Sequence, residues 1–303
     1  MGIRVTLRQK LKCPIVGTPG SDVVQASRES YAKPKFQVHR DGSIRLLGGN
    51  DRIRSRYNIR ASGPIHMGSG HDVITGRKSL EVRGFDRQRG SLRLGRGKDT
   101  IQFRGGHLNF AECSIDTGDG DDLITAQSAR FSGPDIITGK GNDRLLIDNE
   151  LDATYFCNLA MGEGDDHLQV SGGLRMDATA IDMGAGNDTV DVLGGGVRMF
   201  SADDDPRLDL GDGDDRFIGF ASPTPEQEDA FYGMLIGNAG TDTVVLPSGT
   251  YTLTPTQITT PVASLRVSGF EWLEGINGGR FPYASGLLTV DANGVASFTS
   301  ALA

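Results

Sequence analysis

The 303 residues predict an all-β fold, a parallel β-helix solenoid of about ten coils closed by a small C-terminal β cap. Three observations predict it. A short glycine-and-aspartate turn returns along most of the chain. An aliphatic residue stands at a constant distance on each side of that turn. No segment has the length and period of an ordinary helix, and the glycine-rich, aromatic-poor composition suits many short strands.

The turn is clearest in seven strings: MGSGHDVI, LGRGKDTI, TGDGDDLI, TGKGNDRL, MGEGDDHL, MGAGNDTV and LGDGDDRF. Anchored on the last Asp, the full series runs Asp22, Asp51, Asp72, Asp99, Asp122, Asp143, Asp166, Asp188, Asp215 and Asp242, at spacings of 21 to 29 residues, a solenoid period. A glycine precedes every anchor by two residues. Seven residues before it the chain is always aliphatic, from Ile15 to Leu235, and two residues after it always apolar, from Val24 to Val244. Constant apolar positions flanking a polar turn describe two inward strand residues and an exposed corner. A further alternating pair, such as Leu80 with Val82 or Leu108 with Phe110, adds a third strand to most coils.

Taken in chain order, residues 1–12 form a basic N-terminal segment, 13–246 the solenoid, and 247–303 a cap in which GTYTLTPTQITT supplies edge strands and Trp272 covers the end of the core. Cys13, Cys113 and Cys157 all stand nine residues before an anchor, where other coils have Gly, Pro or Thr. They are read as compact buried filler, too far apart for a disulfide. The first 17 residues lack the apolar run of a cleavable signal, and no apolar stretch is long enough to span a membrane.

Stacked in register, the anchors form a column of carboxylates about 4.8 Å apart, each pair repelling by about 1 kcal/mol in water. Asn would close the same turn without repulsion, yet every anchor is Asp. Oxygen ligands of this kind suit calcium better than zinc or copper.

The GxGxDx-plus-aliphatic strings resemble the RTX, or haemolysin-type, calcium-binding repeats over residues 13–246. Here one turn occurs per 21–29 residues instead of one per nine, so the variant has a wider coil and one calcium edge in place of two. The resemblance implies a β-roll-like solenoid with about six calcium ions in its central ladder. Its carboxylate ligands are Asp72, Asp99, Asp122, Asp143, Asp166, Asp188 and Asp215. Its glycine ligands come in pairs: Gly68 and Gly70, Gly95 and Gly97, Gly118 and Gly120, Gly139 and Gly141, Gly162 and Gly164, Gly184 and Gly186, Gly211 and Gly213. Asp119 and Asp121 are added where acids cluster. Asp22, Asp51 and Asp242, whose turns lack the first glycine, are weak or capping positions. The resemblance further implies export through type I secretion machinery, addressed by the C-terminal segment, and folding on extracellular calcium.

Charge is segregated: residues 1–104 carry +14 and residues 105–303 carry −22. That favours self-association head to tail, or an anionic polysaccharide or lipopolysaccharide held by Arg52, Arg54, Arg56 and Arg60, over nucleic acid. No nucleophile elbow, HExxH, phosphate loop or CxxC is present, and no catalytic residue is assigned. The expected function is therefore a secreted calcium-binding structural protein of the cell surface or matrix. The alternatives are a polysaccharide lyase or epimerase, or a glycan-binding adhesin.

Overall fold

The computed structural model describes residues 1–7, 10–26, 36–84, 90–200, 205–223 and 233–301. Over these residues every regular element is a strand. The strands wind into a parallel β-solenoid of about nine turns, close to the ten coils expected. A central coil contains the three strands predicted, for example Ile65–Ser69, Val73–Gly76 and Ser79–Arg83. The first joins one sheet and the other two join a second, with the glycine-aspartate turn between the sheets.

The register explains why the aliphatic positions repeat. Ile65, Leu92, Ile115, Ile136, Leu159, Ile181, Leu208 and Leu235 are consecutive partners down one sheet. Val24, Ile53, Ile74, Ile101, Ile124, Leu145, Leu168, Val190, Phe217, Val244 and Leu273 do the same down the other. All are buried, and each contributes about 1.5–3 kcal/mol relative to exposure. The third column follows the same rule, and Phe110 and Phe131 stack within it at 5.2 Å. Anchor spacings vary from 21 to 29 residues, yet the paired strands stay in register.

Four expectations are corrected. The parallel stack begins at Arg4–Leu7, paired with Val23–Ala26, and continues to Trp272–Gly275, so it exceeds residues 13–246 at both ends. GTYTLTPTQITT forms an antiparallel pair inside its sheet, flanked by Ala263–Ser268 and Gly286–Val290, and the outer edge is Ala296–Ser300. The C-terminal tail is thus part of the cap. Trp272 does not cover the core: alternation turns Leu273 inward, and Trp272 lies outside with the Arg280 guanidinium 4.4 Å from its ring. Cys113 and Cys157 occupy the compact buried corner as expected, while Cys13, in the first coil, is exposed. Among the described residues no helix is long and apolar enough to cross a membrane.

Candidate metal-binding column

The turn forces the chain to reverse where two coils lie closest. Gly95 has φ +115°, and a Cβ there would stand 1.6 Å from the Gly68 carbonyl oxygen. At Gly97, φ is +136° and the added atom would meet the Gly70 oxygen at 1.8 Å. Both the left-handed conformation and the contact exclude a side chain. The first glycines of the later turns, Gly118, Gly139, Gly162, Gly184 and Gly211, repeat the first case.

The second glycines, Gly120, Gly141, Gly164, Gly186 and Gly213, repeat the other. A Cβ on any of them would stand 1.7–2.5 Å from the carbonyl oxygen of the second glycine one coil earlier. The close approach accounts for glycine at Gly120, Gly141, Gly164, Gly186 and Gly213, positions expected from the sequence as calcium ligands. Each also donates its N–H across the stack, to Lys140, Glu163, Ala185, Asp212 and Ala239 carbonyls respectively. All that such a residue has for a cation is its main-chain oxygen, so its glycine identity is explained by the close approach and not by ligation.

This tight approach turns every anchor carboxylate inward. Asp22, Asp51, Asp72, Asp99, Asp122, Asp143, Asp166, Asp188, Asp215 and Asp242 are all at most 2% exposed. From Asp51 onward, each Oδ1 accepts a hydrogen bond from the backbone N–H of the anchor one coil earlier, at 2.6–2.9 Å. The other oxygen, Oδ2, is buried without a partner in all nine of these residues. Asp22 differs: its Oδ2 accepts the Thr18 N–H at 2.7 Å. Asp51 and Asp242, grouped with it from sequence, carry the same orphaned oxygen as the central seven.

Burial is the main cause of a raised pKa along the column; the backbone hydrogen bond opposes it at every rung, the Thr117 and Thr138 hydroxyls oppose it further at Asp122 and Asp143, and neighbouring carboxylates add to it except at Asp72. Asp72, Asp143 and Asp242 are raised to about 6, Asp51, Asp99, Asp122, Asp166 and Asp215 to about 7, and Asp188 to about 8. The Thr117 and Thr138 hydroxyls beside Asp122 and Asp143 donate to the carbonyls of Thr138 and Met161.

Sequence reading missed the last rung. Glu271 occupies the next anchor place, and its Oε2 accepts the Asp242 N–H at 2.8 Å. Gly269 two residues before and Leu273 two residues after repeat the turn's spacing, hidden because the acid is Glu. Asp119 and Asp121, included as ligands, lie elsewhere. They point outward, Asp119 to Arg96 at 3.4 Å and Asp121 to Lys98, which holds the Asp121 carboxyl below its usual range.

The residues fit a hard cation chemically. Nine buried carboxylate oxygens lack donors, and the glycine turns crowd main-chain carbonyls together on the same edge. No group of three or more His, Cys, Asp or Glu side chains converges among the described residues, so a bound ion would complete its shell with main-chain oxygens. The position five residues before the anchor is buried Leu46, Met67, Leu94, Met161, Met183 or Leu210 in six coils, an apolar inner wall, and Thr117 or Thr138 before Asp122 and Asp143, where a hydroxyl stands beside the carboxyl.

The four arginines proposed for a polyanion do not act together. Arg60 pairs with Glu81 at 2.9 Å, and both Nε and Nη2 of Arg54 donate to Gln25 Oε1. Arg54 and Arg56 line one groove with Arg77 and Arg104, whereas Arg60 lines another and Arg52 is an exposed strand residue. Compared with protein-family models, curated proteins and solved structures, the chain finds no significant match.

Proposed function

We propose that the chain is a calcium-stabilised structural solenoid of the RTX type, exported and folded outside the cell, where calcium neutralises its carboxylate column. One observation carries this reading: nine buried Oδ2 atoms, one per coil, with no hydrogen-bond donor. A buried carboxylate without a partner is strongly destabilising, and either a proton or a cation relieves it. In the calcium reading, Asp51 to Asp242 hold the ions between coils. When bound, calcium supplies the charge compensation that the apolar wall cannot. In a cytosol poor in calcium the same column would oppose compaction and keep the chain competent for secretion.

A second reading has its own support. The Oδ1 hydrogen bonds already join the rungs, so protonated carboxyls could close the column without an ion. Calorimetry on the full chain separates the two. Calcium titration after chelation, with melting scans in chelator and in excess calcium, is expected to show several bound ions and a large rise in Tm. Equal melting temperatures would leave the protonated ladder standing.

Self-association belongs to the same proposal, but the ends constrain it. The N-terminal edges Arg4–Leu7 and Pro14–Val16 belong to parallel sheets, whereas the C-terminal edges Gly278–Pro282 and Ala296–Ser300 are antiparallel. End-to-end growth would therefore join unlike edges. The competing enzyme reading, a polysaccharide lyase or epimerase, predicts unsaturated sugars or altered uronates on incubation with acidic glycans.

A further inference from the structure

The basic half of the chain gathers four guanidinium groups into one groove of about 350 Å³, and among the described residues no carboxylate lines it. The groove follows from coil stacking. Gln25, Arg54, Thr75 and Gln102 are register partners on four successive coils and face outward. Arg56, Arg77 and Arg104 each stand two residues further on, the first two at the bend that follows and Arg104 within the strand Thr100–Ala111. They repeat one position in three consecutive coils and are exposed. Beneath them the chain is small: Ser55 and Gly76 form part of the floor, and a Cβ at Gly76 would stand 2.2 Å from the Phe103 ring, which fills the core there.

These arginines lack an acidic partner among the described residues, as Arg52 and Arg144 on the same sheet do; what sets them apart is that they repeat one position in three consecutive coils. Other exposed arginines of that sheet face acids: Arg130 and Arg175 share Asp152, and Arg216 meets Glu274. Among the described residues, Arg56, Arg77 and Arg104 make no such pair. Like charges at a rung spacing of about 4.8 Å oppose one another and are stabilised by an anion that crosses several rungs.

We infer that this groove binds a linear acidic polysaccharide, with Arg56, Arg77 and Arg104 facing successive carboxylates and the Gln25, Thr75 and Gln102 side chains meeting sugar hydroxyls. The rung spacing is comparable to the length of one pyranose unit. A nucleic-acid strand fits less well, because among the described residues Tyr57 is the only aromatic one lining the groove and base stacking needs a series of them. The inference needs only the coil stacking, so it stands or falls separately from calcium.

The test is fluorescence anisotropy with a short labelled oligogalacturonide on the full chain in calcium buffer, with far-UV circular dichroism confirming the fold. Binding is expected to weaken with added salt and to be absent for a neutral dextran oligomer. The triple variant Arg56→Ala, Arg77→Ala, Arg104→Ala is expected to bind at least about tenfold more weakly, and the triple Lys variant to recover part of that loss. Arg130→Ala, outside the groove, is expected to bind like the parent. The proposal is overturned if the triple Ala variant, correctly folded, binds as the parent does, or if single-stranded DNA binds as tightly as the oligogalacturonide. It is also overturned if the parent ignores the sugar while the variant loses self-association, which would assign the groove to the acidic coils of a second copy.

Discussion

Two columns of side chains run along the turn edge one residue apart, and they behave in opposite ways. The anchors from Asp51 to Asp242 are buried, take the N–H of the coil before, and have carboxyls pushed up to about 6 to 8. The residues just before them are exposed and take the N–H of the coil after: Asn50 from His71, Asp121 from Asn142, Asn142 from Asp165, Asp165 from Asn187, Asn187 from Asp214 and Asp214 from Thr241. Asp121 and Asp122 are chemically identical neighbours, yet one is held below the ordinary carboxylate range and the other raised well above it. Lys98 and the Asn142 N–H lower the exposed Asp121, while burial, set by the glycines that bring the coils together, raises Asp122.

The strongest way to break this contrast is to remove the close approach. Gly118→Ala places a methyl 1.6 Å from the Gly95 oxygen at φ +101°. Loss of soluble folded protein, or destabilisation above about 3 kcal/mol in denaturant melts, is expected.

Next in size is the inner rung itself. Asp143→Ala strips the Asp122 N–H of its acceptor and is expected to cost about 1–3 kcal/mol, whereas Asn142→Ala on the outer column should cost under about 1 kcal/mol. Similar urea midpoints for the two variants would erase the distinction between the columns.

The pH dependence of the metal-free chain sharpens the comparison. The folded column keeps protons at pH values where unfolded aspartates, near 3.8, have already lost them. By linkage, stability in chelator is expected to fall as pH rises from about 4 and to go on falling through the folded values of about 6 to 8. Calcium, which requires the ionised form, should bind more tightly across that same window and remove the fall. A melting temperature in chelator that rises between pH 5 and 8 contradicts the buried column.

The smallest effect belongs to the outer ion pairs. Lys98→Met removes the partner of Asp121, and scanning calorimetry is expected to show no resolvable change, because both side chains are well exposed.

Much of this architecture is legible in the residue order because its causes are local. Positive φ at Gly95 and Gly97 demands glycine, and alternation about the turn demands Ile101 inward, whatever the rest of the chain does. Glu271 escaped notice because its role comes from standing above Asp242, not from its own type. Trp272 was misplaced because size suggested a lid while the two-residue period assigned the core to Leu273.

From the sequence alone follow the repeat, the three-strand coil, the inward aliphatic columns and the aspartate at every turn, since each depends on residues within one coil. Only the stacked coils decide which carboxylates are buried, that Asp119 and Asp121 face out, and that Arg56, Arg77 and Arg104 converge where Arg52 and Arg60 do not. Those outcomes join residues 21 to 29 positions apart, and no local preference encodes which of them will meet.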